Sequence, residues 1–170
     1  MDQFMESLSG FRWGKGMKVP SGQISTVSLQ SIQSNNYNRE ILMTNKELIQ
    51  QLYENFAVGD VPAVLSAFAE NIEWTESDGF PLAGTYVGPD AVLNNVFMKL
   101  GEFSENWGVE VERLIADGDT VVADGRYTWN HKTTGEPCAV RMAHIWTFTD
   151  GKVTKFLQHV DSATVKELIG

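Results

Sequence analysis

Beyond residue 43 the apolar positions follow two periods, and the switch between them divides the chain into helices and strands. Leu48, Ile49, Leu52, Tyr53 and Phe56 recur at three- and four-residue spacing, which places them on one helical face. Thr44-Asn45-Lys46-Glu47 is a capping box at the start of that helix, and Gly59 is expected to end it. Asp60 caps a second helix with Pro62 in its first turn, where a missing amide costs nothing, and Val64, Leu65 and Phe68 form its apolar face. Gly88-Pro89-Asp90 opens a third helix carrying Val92, Leu93, Val96, Phe97 and Leu100. Between the second and third, residues 71–76 alternate as a short strand with Trp74 and Glu76 on one side, and residues 77–84 read as a loop rich in turn formers.

From residue 107 the period is two. Long strands are expected over 107–116 and 120–131, then a hairpin over 138–161, with a short helix capped by Ser162 at the end. The hairpin organises the rest. On its first strand Met142, His144, Trp146 and Phe148 share one face, and Arg141, Ala143, Ile145 and Thr147 share the other. A two-residue Asp150-Gly151 turn puts His144 and Trp146 beside Lys155 and Leu157. A three-residue turn, Thr149-Asp150-Gly151 with Gly151 left-handed, puts them with Phe156, Gln158 and Val160. The second register keeps bulky apolar residues together and is preferred. It leaves His144 and Gln158 as polar groups on an apolar surface, in need of partners or a ligand. The turn at residues 133–135 is open in the same way. With two residues, Tyr127 and Trp129 face inward, Tyr127 beside Met142; with three, Asp124 and Arg126 do, near His144. The cost of burying an unpaired arginine favours the first.

Three helices followed by a meander of strands make an α+β layout, in which a strongly bent antiparallel sheet wraps the helices as a cone with a pocket at its mouth. The 170 residues allow one domain. A net charge of −9, with no basic patch, argues against nucleic acid and anionic membrane as partners, and no apolar run is long enough to cross a bilayer. One cysteine, Cys138, excludes an internal disulfide and a cysteine-built zinc site. His131, His144 and His159 fall at no metal-ligand spacing, so no metal is expected. A reducing cytoplasm is the default location. Residues 1–42 mix Ser, Gln, Asn and Gly without either period and lack the apolar core of a secretory signal. They are expected to be a disordered extension, or one added by translation begun upstream of a natural start at Met43, with the folded domain over 43–170.

The order of the motifs resembles the nuclear transport factor 2-like superfamily, in its SnoaL-like, ketosteroid-isomerase-related branch. The residues that carry the resemblance are Phe56-Ala57-Val58-Gly59-Asp60, Phe68-Ala69-Glu70-Asn71, Trp74-Thr75-Glu76, Gly84-Thr85-Tyr86-Val87-Gly88-Pro89, and 143–153 around His144. The resemblance implies an α+β roll for the whole of 43–170. It also places Glu76 where the steroid isomerases keep their proton-shuttling carboxylate, and His144 where they keep a protonated carboxylic acid that donates to the substrate oxygen; that enzyme is a worked case of pKa tuning. The isomerases' oxyanion tyrosine falls at Leu52, one position from Tyr53. The acid of SnoaL-type cyclases falls at Gln158, which cannot act as a base. An epoxide-hydrolase relay would need Asp124, Arg126 and Asp161 to converge.

Glu76 as base and His144 as hydrogen-bond donor therefore lead to an expectation of cofactor-independent proton transfer next to a carbonyl: isomerisation, cyclisation or dehydration of a small apolar ligand. The expected pocket is Leu52, Tyr53, Phe56, Trp74, Tyr127, Trp129, Met142, Trp146, Phe156 and Gln158. Alternatives are a non-catalytic binding module using the same cone, a hydrolase of the epoxide type, and a structural dimer with an idle pocket. The bland readings of the two groups are an exposed loop-edge carboxylate and a core histidine bonded to a backbone carbonyl. A homodimer is expected through the outer sheet face, where Ile145, Val153 and Leu157 would project.

Overall fold

The structure, a computed structural model, describes residues 43–169; the extension expected over 1–42 lies outside them. Among the described residues six strands form one curved sheet in the order β2-β1-β6-β5-β4-β3. They are β1 Phe68–Glu76, β2 Gly84–Val87, β3 Ser104–Asp117, β4 Thr120–His131, β5 Pro137–Thr149 and β6 Lys152–Val160. Four pairings are antiparallel, and β1 runs parallel to β6. Helix α1, Asn45–Val58, begins with the expected capping box at Thr44, and α2, Val61–Ser66, begins with the Asp60 side chain accepting from the Ala63 amide. The third helical stretch, α3, comprises Pro89–Val92, a π-turn at Leu93–Phe97 and Met98–Leu100. Helix α4, Ser162–Ile169, starts from Asp161, whose carboxylate accepts from the Thr164 amide. The cap is thus Asp161 and not Ser162.

Three boundaries differ from the sequence reading, the first being the start of β3 at Ser104 and not at residue 107. Phe68 belongs to β1 and not to α2, because α2 stops at Ser66 and the strand begins two residues on. Gly84–Val87, expected at a loop's end, pairs with residues 73–76 as an edge strand.

The main hairpin meets both of its alternatives halfway. Its turn has two residues, Asp150 and Gly151, at φ 50° and 73°, the left-handed pair of a primed hairpin turn. Yet His144 lies opposite Gln158, and Trp146 opposite Phe156, as the three-residue turn requires. A bulge reconciles them: the register shifts between Thr147 and Phe148, leaving Thr154 as an extra residue in β6. The Thr154 hydroxyl donates to the Thr147 carbonyl at 3.2 Å. The same bulge turns Val153 inward, where it is buried, so Val153 does not join Ile145 and Leu157 on the outer face. The β4–β5 loop, by contrast, has four residues, Lys132 to Gly135, closed by the His131 amide on the Glu136 carbonyl at 2.8 Å. Tyr127 and Trp129 face inward, as the two-residue turn required, but Tyr127 sits opposite Val140 instead of Met142.

The outward face of β3–β5 carries a lattice of charge. Arg126 and Arg141 lie directly opposite each other. Glu112 accepts from both, and Asp124 accepts from Arg141 and Arg113. Glu112 can reach both arginines because β3 bulges between Val111 and Arg113. The bulge presses the β3 backbone onto Gly125: a Cβ there would stand 2.0 Å from the Glu110 carbonyl oxygen. Gly125→Ala should therefore cost on the order of 2–3 kcal/mol in urea unfolding, since backbone and not a rotatable side chain must yield. Gly108→Ala, whose Cβ is crowded by the rotatable Thr128 hydroxyl at 3.0 Å and meets backbone only at 3.7 Å, should cost clearly less.

Candidate functional site

The inner faces of β1, β3, β4, β5 and β6, with α1, α2, α3 and the loop after β1, surround a small cavity of about 40 Å³. Aromatic and aliphatic side chains make most of its wall: Leu52, Tyr53 and Phe56 from α1, Val64 from α2, Trp74 from β1, Phe80 from the loop, Val96, Phe97 and Leu100 from α3, Trp107 and Val109 from β3, and Trp146 and Phe156 from the hairpin. Trp74 stacks on its cross-strand neighbour Phe156 with ring centroids 3.7 Å apart. Four polar side chains complete the lining: Glu76, Tyr127, His144 and Gln158. Strand alternation puts Glu76 on the same side as Trp74, and both are buried.

His144 has a partner on each ring nitrogen. The Tyr53 hydroxyl lies 2.6 Å from Nδ1 and the Tyr127 hydroxyl 2.6 Å from Nε2. Trp146 donates its indole N–H to the Tyr53 oxygen at 3.0 Å, and Gln158 donates its amide to the Tyr127 oxygen at 2.9 Å. The Gln158 carbonyl in turn accepts from the Ser77 amide at 3.1 Å. Burial pushes the His144 imidazole down to about 3, with a further contribution from the charge of His159, so the ring is neutral across the physiological range. His144 was expected to aim a donor at a ligand. With both nitrogens occupied, it instead orients two phenols.

Glu76 is the opposite case. One carboxylate oxygen accepts from the Trp74 indole at 2.6 Å, and the other, Oε2, has no partner although it is buried. Burial pushes its pKa up to about 7, against the lowering effect of the Trp74 bond. A carboxyl in that range is half ionised near neutrality, which suits a group that must take up and return a proton. Among the described residues no group of three or more His, Cys, Asp or Glu side chains could hold a metal ion.

Leu52, Tyr53, Phe56, Trp74, Tyr127, Trp146, Phe156 and Gln158 thus line the cavity with Glu76 and His144, as the sequence reading expected. Trp129 and Met142 are buried but lie off the lining. Trp129 stacks behind Trp107 with centroids 5.2 Å apart, and Met142 pairs with Gly125 and Val160 further along the sheet. Asp124 and Arg126 join the outer lattice, and Asp161 caps α4, so the three do not converge on the cavity. The reading missed Val64, Phe80, Val96, Phe97, Leu100, Trp107 and Val109 on the wall, and Ser77 behind Gln158. The α3 residues were legible as an apolar face but not as pocket wall, because the π-turn that sets their direction has no sequence signature. A lone phenylalanine in a polar loop was the available signal for Phe80.

The raised pKa of Glu76 has a stability consequence with a definite sign. Between about 4.5 and 7 the folded protein keeps a proton that the unfolded chain has lost, so stability from this group is full below that window and falls as pH rises through it, by on the order of 3 kcal/mol. Glu76→Gln removes the charge and the titration. The gain in melting temperature of this variant over the unaltered protein should be larger at pH 8 than at pH 5 by roughly 5–10 °C, as expected for a few kcal/mol in a domain of this size. An equal difference at both pH values would show that Glu76 does not titrate in this window.

Residues 49–156 match the model of the SnoaL-like domain family. No curated protein matches the chain. Among solved structures, an NTF2-like protein of Burkholderia thailandensis is 34% identical, with 75% of this chain and 98% of that one covered at a TM-score of 0.71. TerC, co-crystallised with polyporic acid, is 25% identical over 72% of this chain and 95% of its own, at a TM-score of 0.66. A protein of ketosteroid isomerase-like fold from Catenulispora acidiphila, in complex with trimethylamine, shares the fold at 18% identity, covering 75% and 95% with a TM-score of 0.63. With the family model covering more than half of its length and the curved sheet closing over a polar-tipped apolar cavity, this chain belongs to the SnoaL-like domain family, on an NTF2-like fold.

Proposed function

We propose that the protein catalyses cofactor-independent proton transfer next to a carbonyl on a small, largely apolar ligand. The observation that carries the reading is Glu76 Oε2: a buried carboxylate oxygen with no protein partner, in a cavity lined mostly by apolar side chains, on a group whose pKa lies near 7. A structural carboxylate in such a place would be bonded at both oxygens, since each unmet buried acceptor costs about 1–3 kcal/mol.

In the reaction, the C–H bond adjacent to the ligand carbonyl breaks, its proton passes to Glu76 Oε2, and its electron pair forms the C=C bond of an enolate. The negative charge moves to the carbonyl oxygen, where a phenol O–H from the Tyr53–His144–Tyr127 group stabilises it. Return of the proton to another carbon completes an isomerisation. Attack of the enolate on a second carbonyl, whose oxygen takes the proton back from Glu76 to become a hydroxyl, completes a cyclisation, and loss of a β-hydroxyl as water, protonated by Glu76, completes a dehydration. Glu76 acts as the base, and Gln158 and Trp146 hold the phenols in place.

Deuterium uptake from D₂O into the α-positions of a panel of cyclic ketones and enones tests this without knowledge of the natural substrate. Exchange catalysed by the full chain should fall 10²–10⁴-fold in Glu76→Gln, the range of a positioned general base. On the active ketone, kcat/KM should rise with pH and level off above about 7, because only the carboxylate form of Glu76 accepts the proton. A protein that binds members of the panel yet exchanges none of their protons would be a binding module, and the catalytic reading would fall.

A further inference from the structure

The hydrogens of the cavity wall can be counted from chemistry alone. An indole N–H only donates, so the Tyr53 oxygen accepts from Trp146. The Ser77 backbone N–H also only donates, so the Gln158 carbonyl must face it. The NH₂ of Gln158 is then the group that reaches Tyr127, and the Tyr127 oxygen accepts as well. Each phenol still carries its own proton. Between them stands a neutral imidazole with one N–H and one lone pair. Three protons are thus available for two bonds, Tyr53–His144 and His144–Tyr127. One phenol donates to the ring and the other accepts from it, and the O–H of the accepting phenol is left over, on a ring that lines the cavity.

We propose that the leftover O–H belongs to Tyr127, that His144 is held as the Nε2–H tautomer, and that Tyr127 is the residue that hydrogen-bonds the ligand oxygen while Glu76 takes the proton. The ligand's part rests on the proton-transfer reading above; the tautomer does not.

The position of Glu76 breaks the symmetry. Ser77 follows it directly in the chain and links through Gln158 to Tyr127, so Tyr127 is the phenol on the carboxylate's side of His144. Tyr53 is tied to α1 and to Trp146 on the other side. The Tyr127 phenol is raised first by burial and then by the charge of Glu76, whereas the Tyr53 phenol is raised by burial alone, against its Trp146 bond. An O–H dipole that turns its proton toward a carboxylate is favoured, more so in apolar surroundings where the field is weakly screened. That orientation requires Tyr127 to accept from His144 Nε2–H and Tyr53 to donate to Nδ1. Because burial raises both phenols far above neutrality, Tyr127 keeps its proton and donates a hydrogen bond only. His144 is then a positioning residue, and the cavity presents one free donor and one free acceptor, Tyr127 O–H and Glu76 Oε2. A carbonyl compound with an acidic neighbouring C–H offers the complementary pair.

The test is the protonation pattern of His144 in the full chain, labelled with ¹⁵N-histidine and read by long-range ¹H–¹⁵N correlation at pH 8. The His144 signals are those that persist in both His131→Asn and His159→Asn. A protonated Nε2 and an unprotonated Nδ1 are expected, and Glu76→Gln should raise the Nδ1–H population. A dominant Nδ1–H form, an imidazolium, an equal mixture, or a Glu76→Gln spectrum identical to that of the unaltered protein would overturn the proposal. Where a ketone is exchanged, Tyr127→Phe should lower the rate 10²–10³-fold, as for loss of an oxyanion donor, and Tyr53→Phe should lower it less; the reverse order would also overturn it. An Nε2–H ring in a protein that exchanges nothing would sink the catalytic reading and leave the tautomer standing.

Discussion

The cavity depends on one pairing, the parallel alignment of β1 with β6. Without it the N-terminal strand would be a separate edge, and the Glu76 carboxylate would end in water. With it, Trp74 is stacked on Phe156 and Ser77 reaches Gln158. That contact joins a strand from the helical half of the chain to the last strand of the meander, so the two halves share one apolar wall. The polar groups then follow from strand alternation. Glu76 lies two residues from Trp74, and Gln158 two from Phe156, all on the inner face.

Apolar surroundings drive both titratable groups of the cavity toward neutrality, the carboxyl upward and the imidazole downward. Their outcomes differ because their partners differ. His144 has a phenol on each nitrogen, and each phenol is itself held by a donor, so the ring is locked by a closed set of bonds. Glu76 has one bond and one vacant oxygen. Full satisfaction makes the first group a rigid support, and partial satisfaction makes the second reactive. The outer face follows another rule. Its arginines and Glu112 are 40% exposed or more and only Asp124, at 20%, is largely covered, so each pair there adds little to stability.

Much of this was legible in the sequence, and for physical reasons. Period-two alternation around Trp74 and Trp146 put Glu76 and His144 inside, and hydrophobic matching across the hairpin selected the register that pairs His144 with Gln158. What escaped were features that alternation cannot encode. The bulge at Thr154 decoupled turn length from register, so Val153 was assigned to the wrong face. Loop closure over four residues placed Tyr127 opposite Val140, with its inward direction right and its neighbour wrong. Above all, Tyr53, Tyr127 and His144 come from α1, β4 and β5, and only the folded chain brings each phenol oxygen within 2.6 Å of a His144 nitrogen. A pattern read along the chain identifies each as buried. It does not reveal that His144 is already occupied on both nitrogens.

The hairpin tip has an evolutionary corollary. A two-residue turn with one bulged residue, and a three-residue turn with none, deliver the same side chains to the cavity. The pair Asp150-Gly151 and Thr154 is therefore one of two interchangeable solutions. A deletion at Thr154 matched by an insertion at the tip would leave the wall untouched while moving the gap in any sequence alignment by several positions. Indels in this hairpin are consequently poor markers of divergence in function. The spacing of His144 to Gln158 counted through the turn carries less information than the identity of the two residues that end up face to face.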